Sequence, residues 1–220
     1  MALRHANGGY LQRYTAGSTA GIPQWTTGTI MGRFVRRVDR NTPSCLLLLR
    51  GEGTTGQYLG LYTGPGDDVV RMEGTAGTSP QATMTTDNPF SVAITWQGTS
   101  AMMHFMLDTA TSTSIAPLDH PTDPQFNMIR VGDDGYGAWF DGESCWLMAW
   151  DRILSATEIL RQSRSRTPVD RSGLLFWLPE IGRATAAENA LDYSGANVDF
   201  SVVGAPTASG GINVGWSLYP

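Results

Sequence analysis

The chain of 220 residues contains no lysine; all fifteen of its basic residues are arginine. Twenty acidic residues outnumber them, giving a net charge of −5 and a pI near 5.1, which disfavours general nucleic-acid binding. Only 16% of the residues are charged and 41% are hydrophobic, a composition that folds around a core and does not stay disordered. Long apolar runs are missing: Cys45 to Leu49 is far too short to span a bilayer. Arg4, His5 and Asn7 interrupt the first residues, which leaves no apolar core of signal-peptide length. The expectation is a soluble protein made in a cytoplasm, with no membrane insertion. Cysteine is scarce too. Cys45 and Cys145 both fall inside apolar strand candidates and read as buried thiols, with their pairing left open. Three histidines, His5, His104 and His120, lie far apart, and no Gly-x-Ser-x-Gly elbow is present. Two distant cysteines do not supply zinc-ligand spacing either.

What the chain has is alternation and turns. Twenty-six glycines suit many turns between short strands. The stretch "FSVAITWQG" places Phe90, Val92, Ile94 and Trp96 on one face and Ser91, Ala93, Thr95 and Gln97 on the other. That is the pattern of a half-buried antiparallel strand. Residues 101–108 follow after a turn at Gly98–Ser100, which predicts a hairpin. Further strands are predicted at 9–15, 29–38, 44–51, 57–64, 68–74, 127–133, 144–151, 173–180 and 198–204. In the strand at 144–151, period two places Cys145, Leu147 and Ala149 on one face. Many short strands with such punctuation predict an all-β, antiparallel two-sheet sandwich. Helical signals are nearly absent. The exception is Ser155-Ala156-Thr157-Glu158, a capping box followed by Ile159 and Leu160, which predicts a short helix near 155–164 that Pro168 ends.

The stretch "GAWFDGESCWLMAWDRILSATEIL", Gly137 to Leu160, resembles the end of laminin-G-like, concanavalin A-like jelly-roll domains. There a glycine turn and a strand close with an aromatic-Asp/Asn-Arg run and a capped helix, matched here by Trp150-Asp151-Arg152-Ile153-Leu154-Ser155. "NPFSVAITWQGTSAMMHFMLD" and "FNMIRVGDDGYGAWFDG" are similar to earlier strands of the same family, and the likeness spans roughly residues 25–165. The resemblance implies a jelly-roll sandwich. Family members often carry an acidic pair at the start of the last strand, where this chain has Cys145 and Trp146, so that cation site does not transfer. The segment "GLLFWLPE … LDYSGANVDFSVVGAPT" resembles jelly-roll proteins of tailed bacteriophages.

Glycosidases on this architecture need two carboxylates roughly 5–10 Å apart across a cleft. The chain has six Glu, and no strand carries an alternating acidic set; Asp141 and Glu143 flank a glycine that reads as a turn. No catalytic residue is therefore assigned. The loop "VGDDGYGAWFDGE" gathers Asp133, Asp134 and Asp141, oxygen donors of the kind calcium takes. The alternative is that Asp and Gly are there to make turns. On the same loop, Tyr136 and Trp139 offer a stacking surface and Asp134 a hydroxyl acceptor for a sugar, unless Trp139 plugs the end of the sandwich. Beyond the last strand, Ile212, Val214, Trp216 and Leu218 alternate in a Gly-rich stretch, which suits addition to a sheet edge of another copy or another protein, or a fold-back onto the chain itself.

The expectation is thus a jelly-roll domain over 1–204 with an extended tail over 205–220, and a non-enzymatic structural or binding role. The first functional reading is a bacteriophage virion component, such as a capsid decoration or accessory protein exposed on the particle, meeting other virion proteins or itself. A stand-alone lectin-like module that binds glycans is the alternative, and a glycan hydrolase the third. No cofactor is required beyond the calcium option.

Overall fold

The structure, a computed structural model, describes residues 3–5, 9–14, 25–38, 42–50, 58–64, 68–74, 77–107, 113–119, 126, 128–179, 185, 187, 190–196, 198–204 and 207–208. The strands run in order as β1 (Leu3–His5), β2 (Tyr10–Tyr14), β3 (Thr27–Arg36), β4 (Ser44–Arg50), β5 (Tyr58–Thr63), β6 (Val69–Gly74) and β7 (Gly77–Thr83). Then come β8 (Phe90–Gln97), β9 (Ser100–Leu107), β10 (Thr113–Asp119), β11 (Met128–Val131) and β12 (Gly142–Trp150). The helix α1 (Ala156–Ser163) follows, with β13 (Leu174–Leu178), β14 (Ser201–Val203) and β15 (Thr207–Ala208) after it.

Among the described residues these strands form two antiparallel sheets. One has eight strands in the order β10-β9-β8-β3-β12-β1-β15, with β13 also on β12; the other has seven, ordered β14-β2-β11-β4-β5-β6-β7. The core lies between them. Phe34, Phe90, Val92, Ile94 and Trp96 of the larger sheet meet Leu47, Leu49, Leu59, Leu61, Val70 and Ile129 of the smaller. Each such side chain, fully buried, contributes about 1.5–3 kcal/mol. The predicted inward set on β8 is therefore correct, and the fold is the expected antiparallel, two-sheet jelly-roll sandwich.

The other face of β8 departs from the half-buried expectation. Ser91, Ala93 and Thr95 are buried as well, because a second apolar layer covers the outside of the larger sheet. Met31, Val35, Met106, Trp146, Met148 and Trp150 project there, and Leu154 and Ile159 close over them. The helix α1 packs across β8 and β9 to make that cover. Cys145 does not share a face with Leu147 and Ala149. A β-bulge between Ser144 and Trp146 inserts an extra residue in β12. Cys145 and Trp146 consequently both join the outer layer, while Leu147 and Ala149 stay in the core. Cys45 and Cys145 are buried free thiols.

The helix begins where the capping box placed it. Glu158 N donates to the Ser155 hydroxyl at 3.3 Å, and Ser155 N donates to the Glu158 carboxylate at 2.7 Å. Arg152 reaches both Glu158 (2.8 Å) and Asp170 (2.7 Å), tying the helix start to the returning chain. That guanidinium, with the Ser155 donors, pulls the Glu158 pKa down to about 2. Within the stretch expected to be a tail, Thr207–Ala208 pairs with β1. Ile212, Val214, Trp216 and Leu218 lie outside the described residues. No helix among the described residues is long and apolar enough to cross a membrane.

Candidate functional site

The outer face of the seven-stranded sheet carries an open cleft of about 660 Å³. Strand alternation builds its floor. Leu59 and Leu61 point into the core, so Tyr58, Gly60 and Tyr62 point out. Register then places Arg50 beside Tyr58 and Leu48 beside Gly60 on one side. On the other side Glu73 lies beside Gly60 and Arg71 beside Tyr62. A Cβ at Gly60 would lie 2.5 Å from Tyr62 Cε2 and 3.4 Å from Leu48 Cδ1. The Tyr62 ring can therefore lie across the strand only because position 60 has no side chain. Cys45, Leu48, Tyr62 and Met128 form an apolar bed under the cleft, joined by Tyr58 and Ala138. Burial raises the pKa of both the Cys45 thiol and the Tyr62 phenol, so the bed is uncharged at neutral pH.

The rim is polar. Arg71 pairs with Glu73 at 2.6 Å. The loop 132–140 supplies Asp134, Tyr136, Gly137 and Ala138. Backbone bonds anchor this loop at both ends: Gly132 N donates to Leu46 O at 3.0 Å and Cys45 N to Ala138 O at 2.7 Å. Asp134 accepts from Tyr136 N (2.7 Å) and Ala138 N (3.2 Å), and Asp133 accepts from Gly135 N at 2.7 Å. Tyr136 stands out from the loop at 76% exposure. Its hydroxyl accepts from Arg50 Nη1 at 2.6 Å, and the Arg50 guanidinium carbon lies 5.5 Å from its ring centre.

A buried histidine braces the loop from behind. Gly132 has φ +93°, and a Cβ there would lie 2.3 Å from His5 Nδ1. His5 sits between the Gly9 carbonyl (3.2 Å) and the Ser144 hydroxyl (2.7 Å), and burial lowers its pKa to about 4.

Of the residues proposed for sugar binding, Asp134 and Tyr136 line this cleft. Trp139 does not: it is half-buried, and its backbone bridges in parallel to Cys45. The calcium trio is not brought together. Asp141 pairs with Arg4, and Asp133 and Asp134 bond the loop's own amides. Among the described residues no three acidic, His or Cys groups gather to hold a metal ion. Arg50, Tyr58, Tyr62, Arg71 and Glu73 went unrecognised in the sequence. A signal was present in Tyr58-Leu59-Gly60-Leu61-Tyr62, two aromatics on one strand face with a glycine between them.

No known protein-family profile matches the chain, and no curated protein matches it either. Solved structures do. A Bacteroides ovatus protein provisionally described as carbohydrate-binding superposes with a TM-score of 0.64 at 15% identity, covering 94% of this chain and 60% of that one. This chain thus spans less than two thirds of that protein's length. The heptameric SAP-like pentraxin of Limulus polyphemus gives 0.54 at 11% identity, covering 76% of this chain and 83% of the other. The enzymatically active domain of tailspike protein 2 from bacteriophage CBA120 gives 0.59 at 10% identity, covering 80% and 29%. At these identities the likeness is one of fold. This chain shares its jelly-roll sandwich with them.

Proposed function

We propose that this protein is a carbohydrate-binding module whose ligand lies in the cleft of the seven-stranded sheet. The observation that carries the reading is the make-up of that cleft: tyrosine rings and an apolar bed, ringed by a few charged groups. Sugar rings offer one apolar face and a rim of hydroxyls, so they suit an aromatic surface with polar groups at its edge. Its volume, about 660 Å³, accommodates a short oligosaccharide. The fold likeness to a protein described as carbohydrate-binding adds support.

The site is proposed to bind without turnover. Glycoside hydrolysis needs a pair of carboxylates, one of them a proton donor. The carboxylates lining the cleft are Glu73 and Asp134. Each is engaged, Glu73 by Arg71 and Asp134 by two backbone amides. Display on a bacteriophage particle is a second reading, favoured by the fold likeness to the CBA120 tailspike domain. The lectin-like reading has more support, from the tyrosine-lined cleft together with the likeness to a protein described as carbohydrate-binding. Printed arrays of neutral and acidic glycans, probed with the full chain and with Tyr136→Ala, test the proposal. The expected result is binding to at least one glycan class, weakened roughly two- to tenfold by the substitution. A blank array contradicts binding, and release of sugar from any bound glycan contradicts the absence of turnover.

A further inference from the structure

Several of the described arginines pair with carboxylates. Arg36 pairs with Asp68, Arg37 with Asp87 and Glu143, and Arg152 with Glu158 and Asp170. Inside the cleft, Arg71 is neutralised by Glu73. Arg50 differs. It stands in the cleft wall, half-buried, and makes no ion pair among the described residues. The groups it meets are neutral: the Tyr136 hydroxyl and the Tyr136 ring. The other acid of that rim, Asp134, has a carboxylate oxygen occupied by two amides.

We propose that the cleft selects an acidic saccharide and that Arg50 receives its anionic group. This rests on the cleft being a glycan site. A guanidinium partly withdrawn from water, whose partners among the described residues are neutral, can take an anionic complement. Its planar fork presents five N–H donors, and one of them is used on Tyr136, so a carboxylate can still be met by two parallel bonds. The floor beside it is tyrosine and leucine, which takes the apolar face of the same sugar ring. Two carboxylates on the rim, Glu73 and Asp134, repel further negative charge, so the ligand carries one anionic group per ring and is not a dense polyanion.

The test compares three probes on the full chain by calorimetry: a uronic- or sialic-acid oligosaccharide, its neutral counterpart, and heparin as the sulfated polyanion. Wild type, Arg50→Gln and Arg50→Lys are measured, with melting curves confirming that each is folded. The expected result is a preference of about tenfold or more for the carboxylated sugar over the neutral one. Arg50→Gln is expected to abolish the preference, weakening the carboxylated sugar several-fold more than the neutral one. Arg50→Lys keeps the charge but not the fork and is expected to retain part of it. Equal affinity for acidic and neutral sugars, tightest binding to heparin, or a preference that survives in Arg50→Gln overturns the inference. Sugar binding with no acidic preference, or with one indifferent to Arg50, sinks it while leaving the glycan site standing; no binding to any sugar sinks both.

Discussion

The two sheets of the sandwich obey the same alternation on their inner faces and differ in what covers their outer ones. Outside the larger sheet, Trp146, Met148 and Trp150 lie beneath α1 and the segment that follows it, and Trp150 Nε1 donates to Asp170 O at 2.9 Å through that cover. Outside the smaller sheet, Tyr58, Tyr62, Arg50 and Arg71 line an open cleft. An outward row of residues becomes a second core where another element lies on it and lines an open cleft where, among the described residues, none does. Coverage, more than strand composition, separates the buried outer row from the open one among the described residues.

Substitutions on the covered side are expected to cost most. Trp150 is 1% exposed, and Trp150→Ala is expected to destabilise by about 3–5 kcal/mol, as for other large buried aromatics. Ile94→Ala, in the core between the sheets, is expected to cost about 2–5 kcal/mol. Urea unfolding measures both. A loss below about 1 kcal/mol at Trp150 would mean that the outer layer is not packed as a core.

Acid is the next probe, because His5 joins the two regions. It belongs to β1 on the larger sheet and packs against Gly132 at the root of the cleft loop. The unfolded chain takes up a proton at His5 near pH 6.5, whereas the native state resists it until about 4. The unfolded state therefore binds more protons in that window, and stability falls as pH drops from 6.5 to 4, by about 3 kcal/mol in total. His5→Gln is expected to flatten this part of the pH profile; an unchanged slope would show that His5 does not carry it. Glu158 acts lower down. Its native pKa of about 2 lies below the ordinary 4.5, so its contribution is present above 4.5 and is lost as pH falls toward 2.

Smaller effects sharpen the contrast. Ser155→Ala orphans an amide at the start of α1, the covering element, and is expected to cost about 1 kcal/mol. Tyr136→Ala on the open side is expected to change stability by no more than about 0.5 kcal/mol while weakening glycan binding. Thermal melts distinguish the two; equal destabilisation would erase the division between a covering side and a binding side.

How far the sequence disclosed this follows the same line. Phe90, Val92, Ile94 and Trp96 announced the core face because period two is a local property, and Ser155 with Glu158 announced the helix start for the same reason. The bulge at Ser144–Trp146 was hidden, since an extra residue in one strand shows only against its partner. The burial of Ser91 and Thr95 was hidden too, because the cover over them comes from residues more than fifty positions later. In the cleft, Asp134 and Tyr136 were legible from one conspicuous loop. Arg50, Tyr58 and Arg71 come from three strands, and only their pairing brings them together.

The most direct test of the open face as the binding surface is a chemical-shift titration. A glycan retained on the array is added to the isotope-labelled full chain, and the perturbed amides are mapped. Binding in the cleft predicts that the largest changes fall on β4, β5, β6 and the loop 133–138, with α1 unmoved. Changes centred on α1 and its neighbours, with Tyr58, Tyr62 and Tyr136 silent, would contradict it.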